Sequence, residues 1–118
     1  PGSVYNPGLL KISRELLKER KALWREGVIA FRRGPLIETQ AEALFLRKVG
    51  ADLVCYSGYP EVATTAALGI KLAFLAIVTS KAFRLASQED REKVVRVQVP
   101  VVKEFIKKFI RKVEANGV

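Results

Sequence analysis

Three short β-prone runs, at residues 28–31, 52–56 and 70–78, are separated by segments of helical character and not by two-residue turns. No other feature constrains the fold as strongly, because strands joined by connections too long for hairpins pair in parallel through right-handed crossovers. The chain therefore reads as α/β, with about three mainly parallel strands, crossover helices and a C-terminal amphipathic helix. The run 70–78 is apolar at nearly every position except Lys71, as expected of a strand covered on both faces.

The helices announce themselves by their ends. Asn6 followed by Pro7 is an N-cap with proline at the first helical position, where the missing N–H costs nothing. Leu9, Ile12, Leu16, Leu17, Leu23 and Trp24 then recur at helical spacing, predicting one amphipathic helix that runs to Glu26-Gly27. Thr39-Gln40-Ala41-Glu42 fits a capping box, and Gly50 a left-handed stop. Ser57-Gly58-Tyr59-Pro60 reads as the turn into a short helix ended by Gly69. Ser87-Gln88-Glu89-Asp90 opens the last helix, whose apolar stripe is Val102, Phe105, Ile106, Phe109, Ile110 and Val113. Pro100 inside it predicts a kink or two pieces, since an interior proline costs a helix about 3 kcal/mol. Residues 95–99 also alternate as a strand would. Pro1-Gly2-Ser3 reads as a cloning remnant, leaving 4–118 as a single domain.

Composition narrows the chemistry. Of 118 residues, 49% are hydrophobic, enough for a packed core, and the net charge is +9. Residues 27–80, which hold all three runs and the turns that follow them, carry only +1 of that charge. The excess sits on the flanking helices, which favours solvated helix faces over a nucleic-acid groove. The basic helix bearing Lys103, Lys107, Lys108, Arg111 and Lys112 could lie on an anionic membrane, but packing on the sheet explains it more simply. No apolar stretch approaches the roughly 20 residues of a membrane span, and neither nucleic acid nor membrane is expected as a partner. There is no histidine and only one cysteine, which excludes Ser-His-Asp and Cys-His catalysis and a Cys/His zinc cluster. No internal disulfide is possible. With no signal-like apolar run, the expected location is cytoplasmic, and no metal site is expected.

In open parallel sheets ligands bind beyond the carboxyl ends of the strands, so three turns stand as candidates. Glu38, between a Gly-Pro turn and a helix start, could accept hydrogen bonds from ligand N–H groups; it could equally serve only the helix dipole. Ser57-Gly58 offers a hydroxyl and amides at a helix N-terminus, suited to phosphate or to ordinary capping. Thr79 and Ser80 could donate to a ligand or simply end a strand. Arg32-Arg33 could bind an anion or be solvated. Nothing near Cys55 in sequence would make its thiol a nucleophile.

Taken together, Glu26-Gly27-Val28, Gly34-Pro35-Leu36-Ile37-Glu38-Thr39 with Ala41-Glu42, Gly50-Ala51-Asp52-Leu53-Val54-Cys55-Tyr56-Ser57, Pro60-Glu61-Val62, Gly69-Ile70 and Val78-Thr79-Ser80 resemble the carboxyl-terminal half of trimeric purine nucleoside phosphorylases and methylthioadenosine phosphorylases. The resemblance covers nearly all of the chain, and implies a partial phosphorylase-like fold and pentosyl transfer. In that reaction phosphate attacks the anomeric carbon of a purine nucleoside as the base leaves, with inorganic phosphate as co-substrate and no cofactor. By that resemblance Glu38 hydrogen-bonds the purine, Ile37 packs near the base, Thr79 and Ser80 face it, Tyr56 lies along the pentose, and Ser57 contacts phosphate. The chain departs from the family at these places. Ile37 replaces an aromatic, Tyr56 a methionine, Ser80 an Asn or Asp, and Cys55 a glycine. The family's Gly-rich phosphate loop, with its arginine and histidine, has no counterpart here. The chain alone is therefore expected to be inactive or incomplete, since holding two reactants together is worth roughly 7–11 kcal/mol of barrier. A complementary phosphorylase-half chain or a homo-oligomer would supply the rest. The alternative is a non-catalytic derivative of the fold that assembles or binds a nucleobase.

Overall fold

The computed structural model describes residues 3–20, 23–34, 38–82 and 86–118. In chain order the elements are α1 (Pro7–Glu19), β1 (Ile29–Phe31), α2 (Gln40–Lys48), β2 (Leu53–Cys55), α3 (Tyr59–Ala67) and α4 (Gln88–Asn116). The two strands pair in parallel, Ile29 opposite Leu53, Ala30 opposite Val54 and Phe31 opposite Cys55. The chain is thus α/β with a parallel crossover through α2.

Local chemistry sets the ends of these elements. Asn6 accepts from the Leu9 N–H at 3.1 Å, with Pro7 at the first helical position. At α2 the capping box forms in full: Thr39 accepts from the Glu42 N–H, and Glu42 accepts from the Thr39 N–H at 2.7 Å. Gly50, at φ 96°, closes α2 in a Schellman motif, its N–H donating to Arg47 and that of Ala51 to Leu46. Gly69 closes α3 in the same way, through Ala66 and Thr65.

Among the described residues the sheet has two strands, not about three. Residues 70–78 form no strand; the Asn6 N–H donates to the Leu72 carbonyl at 2.7 Å and the Ile70 N–H to the Thr65 carbonyl. Phe74 stands edge-on to Phe31 at 5.6 Å, so a ring contact and not a ladder holds this run to the sheet. An unbroken apolar run signals burial on both faces. Here Ile70, Leu75, Ile77 and Val78 stay exposed, so among the described residues the run is not covered on both faces.

The core lies where α1 packs against α4, on Ile12, Leu16 and Phe105, with Leu17, Phe109, Val113 and Val118 around them. The helices run antiparallel, since Glu19 and Glu15 meet Lys112 while Arg20 reaches the Val101 carbonyl and Glu104. α1 stops at Glu19, well short of Glu26-Gly27, and Leu23 is 97% exposed. Beyond α1, Glu26 pairs with Arg14 of the helix, so the chain has turned back there instead of continuing the helix. α4 is one 29-residue helix that carries Pro100 inside it, neither split there nor replaced by a strand at 95–99. No helix among the described residues is long and apolar enough to cross a membrane.

Candidate functional site

The parallel ladder brings the carboxyl ends of β1 and β2 side by side. Its lower end is locked by Asp52, whose Oδ2 accepts the Val28 N–H at 2.7 Å. This fit requires Gly27, because a Cβ there would lie 2.9 Å from the Asp52 Cβ. At the upper end the Arg32 N–H donates to the Cys55 carbonyl at 3.0 Å. The register therefore extends one step past the strands and sets Arg32 opposite Tyr56.

Above that pair sits Glu38, the one buried charged side chain among the described residues, 8% exposed. The Tyr56 hydroxyl donates to Glu38 Oε2. Tyr56 is 41% exposed, but its hydroxyl is turned inward to the carboxylate. Burial is the main cause that raises the Tyr56 phenol above its ordinary pKa, followed by the hydrogen bond to Glu38 and its charge; the Glu38 backbone N–H and the Arg32 charge oppose. The phenol is therefore held protonated, as a donor. Arg32 in turn donates from Nη2 to Glu42 Oε1 at 2.8 Å. The Glu42 carboxyl lies below its ordinary pKa, chiefly through the Thr39 N–H, then the Thr39 hydroxyl and, against desolvation, Arg32. Arg32, Glu42, Thr39, Glu38 and Tyr56 thus form one polar rim, with Ala41, Phe45 and Leu46 lining a shallow apolar cleft beside Arg32 and Glu42.

Of the residues singled out from the sequence, Glu38 and Tyr56 meet directly. Ser57 is exposed beside them, and its carbonyl accepts from the Cys55 thiol at 3.1 Å. The cap of α3 is Gly58 at φ 91°, not the serine hydroxyl. A Cβ on Gly58 would meet the Phe74 ring at 2.8 Å, so the turn is pressed under the aromatic cluster of Phe31, Tyr59 and Phe74. Thr79 is half-buried and Ser80 exposed. Ile37 lies outside the described residues. Arg32 was weighed in the sequence only as half of an Arg-Arg pair; its link to the α2 cap depends on the register, which no local motif announces. Chemically, the rim offers a buried carboxylate acceptor flanked by a phenol donor and a guanidinium, suited to a polar heterocycle.

The sequence profile described as the Phosphorylase superfamily matches residues 1–111. Among curated relatives, the chain is 35% identical over 85 residues to the probable S-methyl-5'-thioinosine phosphorylase of Methanosarcina acetivorans, spanning 72% of this chain and 33% of that protein. It is 28% identical over 106 residues to purine nucleoside phosphorylase 1 of Bacillus subtilis, spanning 89% of this chain and 39% of that protein. With a putative purine nucleoside phosphorylase of Schizosaccharomyces pombe it shares 42% over 79 residues, or 65% of this chain and 25% of that protein. The chain thus spans between a quarter and two fifths of the length of these relatives.

Proposed function

Because the chain belongs to the Phosphorylase superfamily, we propose that it forms the purine and pentose side of a nucleoside phosphorylase site and is inactive or incomplete by itself. The observation that carries this reading is the buried Glu38 carboxylate, held by the Tyr56 hydroxyl at the carboxyl rim of two parallel strands. A carboxylate has several acceptor positions, so Glu38 can take a purine N–H while it keeps Tyr56. Tyr56 then has two tasks: its hydroxyl orients Glu38, and its exposed ring borders the pentose. Ser57, at the turn before α3, contacts phosphate, and Thr79 and Ser80 face the base, with Ile37 near it. The transition state requires stabilisation of negative charge on the leaving purine by placed groups; inorganic phosphate is the co-substrate and no cofactor takes part. The relatives are named as phosphorylases of purine nucleosides and of methylthioinosine, which supports a purine nucleoside or nucleobase as ligand.

Incompleteness follows from what the rim offers. Its charged groups are read here as facing a base, and Ser57 beside the α3 N-terminus alone is assigned to phosphate, without a Gly-rich loop. A second chain, either another copy or a complementary phosphorylase half, supplies the remainder. The alternative, a non-catalytic derivative that binds a nucleobase or only assembles, draws support from Tyr56, which engages Glu38 where the family carries a methionine.

Calorimetry of the purified chain against adenine, hypoxanthine and methylthioadenosine, with and without phosphate, tests this. Binding of a base without phosphate, abolished in Glu38→Gln, is the expected result. Phosphate-dependent release of base by the chain alone would overturn its incompleteness. Absence of heat with every ligand, or unchanged affinity in Glu38→Gln, would remove the purine assignment.

A further inference from the structure

Arg32 is the charged group at this rim to which the proposed function gives no task. Its backbone N–H is fixed to Cys55 and its Nη2 to Glu42. Glu42 is itself pinned by the Thr39 N–H at 2.7 Å and the Thr39 hydroxyl at 2.9 Å, so the guanidinium is held by the α2 cap one residue from Glu38. Nη1 is buried and, among the described residues, has no hydrogen-bond partner. A charged donor removed from water and left unmatched is among the costlier groups a fold can carry, and a fold that holds it in place has an acceptor to offer it. The charge of Arg32 is felt at the Tyr56 hydroxyl, which is the hydroxyl that holds Glu38.

We propose that Arg32 is a specificity-determining residue of this site, its Nη1 donating to a ring-carbonyl oxygen of the base whose ring N–H is accepted by Glu38. The proposal rests on the purine reading above. A guanidinium donor and a carboxylate acceptor at one rim match a lactam edge, an N–H beside a C=O, as in hypoxanthine. Adenine presents the opposite pattern there, an amino group toward the guanidinium and a bare ring nitrogen toward the carboxylate, so it meets donor with donor and acceptor with acceptor.

Calorimetry of the chain with hypoxanthine and with adenine, in the wild type and in Arg32→Met, reads this directly, with a thermal melt to establish folding. The wild type is expected to prefer hypoxanthine, and Arg32→Met to lower the hypoxanthine-to-adenine affinity ratio about tenfold while adenine binding does not weaken. Should the methionine variant fail to fold, Arg32→Lys keeps the charge near Glu42 without a second forked donor and is expected to lower the ratio likewise. An unchanged ratio in a folded variant, or a wild type without preference, overturns the role of Arg32 and leaves the purine site standing. If neither base binds the wild type, both fall together.

Discussion

At the scale of single residues, the Tyr56 and Glu38 pair concentrates the local energetics. Tyr56→Phe leaves a buried carboxylate without its phenol donor, and urea unfolding at neutral pH is expected to show a loss of about 1–3 kcal/mol. The phenol pKa is raised in the fold. Its contribution is therefore complete below the ordinary tyrosine pKa and is lost as pH rises through the higher folded value. Tyrosinate absorbance, read as the difference between wild type and Tyr56→Phe, should show this group ionising later than an ordinary tyrosine; ionisation at or below the usual pH would contradict the buried bond. Gly27→Ala forces its Cβ onto Asp52 and displaces the acceptor of the Val28 N–H. A destabilisation of about 1–3 kcal/mol is expected by the same unfolding measurement, and none would mean the Asp52 lock is loose. Glu38 was visible in the sequence because its position before a capping box at a Gly-Pro turn is a local pattern. The parts played by Tyr56 and Arg32 were not, since they follow from which residue faces which across two parallel strands.

At the scale of elements, the α1 and α4 pair carries the packing. Phe105 is 6% exposed within the cluster of Ile12 and Leu16, so Phe105→Ala is expected to cost about 3–5 kcal/mol in urea unfolding. The same interface carries charge. The Glu19 carboxyl lies below its ordinary pKa through its hydrogen bond to Lys112, and Glu104 through Lys108, then Arg20. Their contribution is present above the ordinary glutamate pKa and disappears as pH falls through the lowered folded values. The urea midpoint should accordingly decline through that acid range, less steeply in a Glu19→Gln and Glu104→Gln double variant; parallel slopes would show that these bridges do not hold the helices. Element by element, the sequence revealed what local chemistry decides: the Asn6-Pro7 start, the Thr39 box, and the Gly50 and Gly69 stops. It misled where the answer depends on a distant partner. The α1 stripe continues to Trp24 in the sequence, yet the helix ends at Glu19 and Glu26 pairs back onto Arg14. Pro100 removes one helical hydrogen bond, and α4 continues because its neighbouring turns make theirs. The run 70–78 has strand composition, yet the contact of Phe74 with Phe31 and not a ladder ties it to the sheet.

At the scale of the whole molecule, the surface is larger than a compact monomer of this mass exposes. A compact protein of 13.1 kDa exposes about 6,400 Å², whereas this chain exposes 9282 Å². Its radius of gyration is 15.6 Å, against about 13.5 Å for a compact domain of this length. The difference in area, about 2,900 Å², exceeds the roughly 800 Å² that one partner contributes to a stable interface. The exposed side chains include the large apolar Leu68, Ile70, Ile77, Val78, Val95 and Val97, and among the described residues no third strand pairs with either outer edge of the sheet. In a preparation of this chain alone the only cover available is another copy. Light scattering at micromolar concentration is therefore expected to give a multiple of the 13.1 kDa mass, with a melting temperature that rises with protein concentration, as mass action requires when folding and association are linked. Val78→Lys, at a position 67% exposed, adds a charge to the uncovered run without touching the α1 and α4 core, so it should lower the mass or flatten the concentration dependence. A single species of monomer mass with a concentration-independent melt would show that the exposed run is tolerated in water, and would count against the second chain proposed to complete the site.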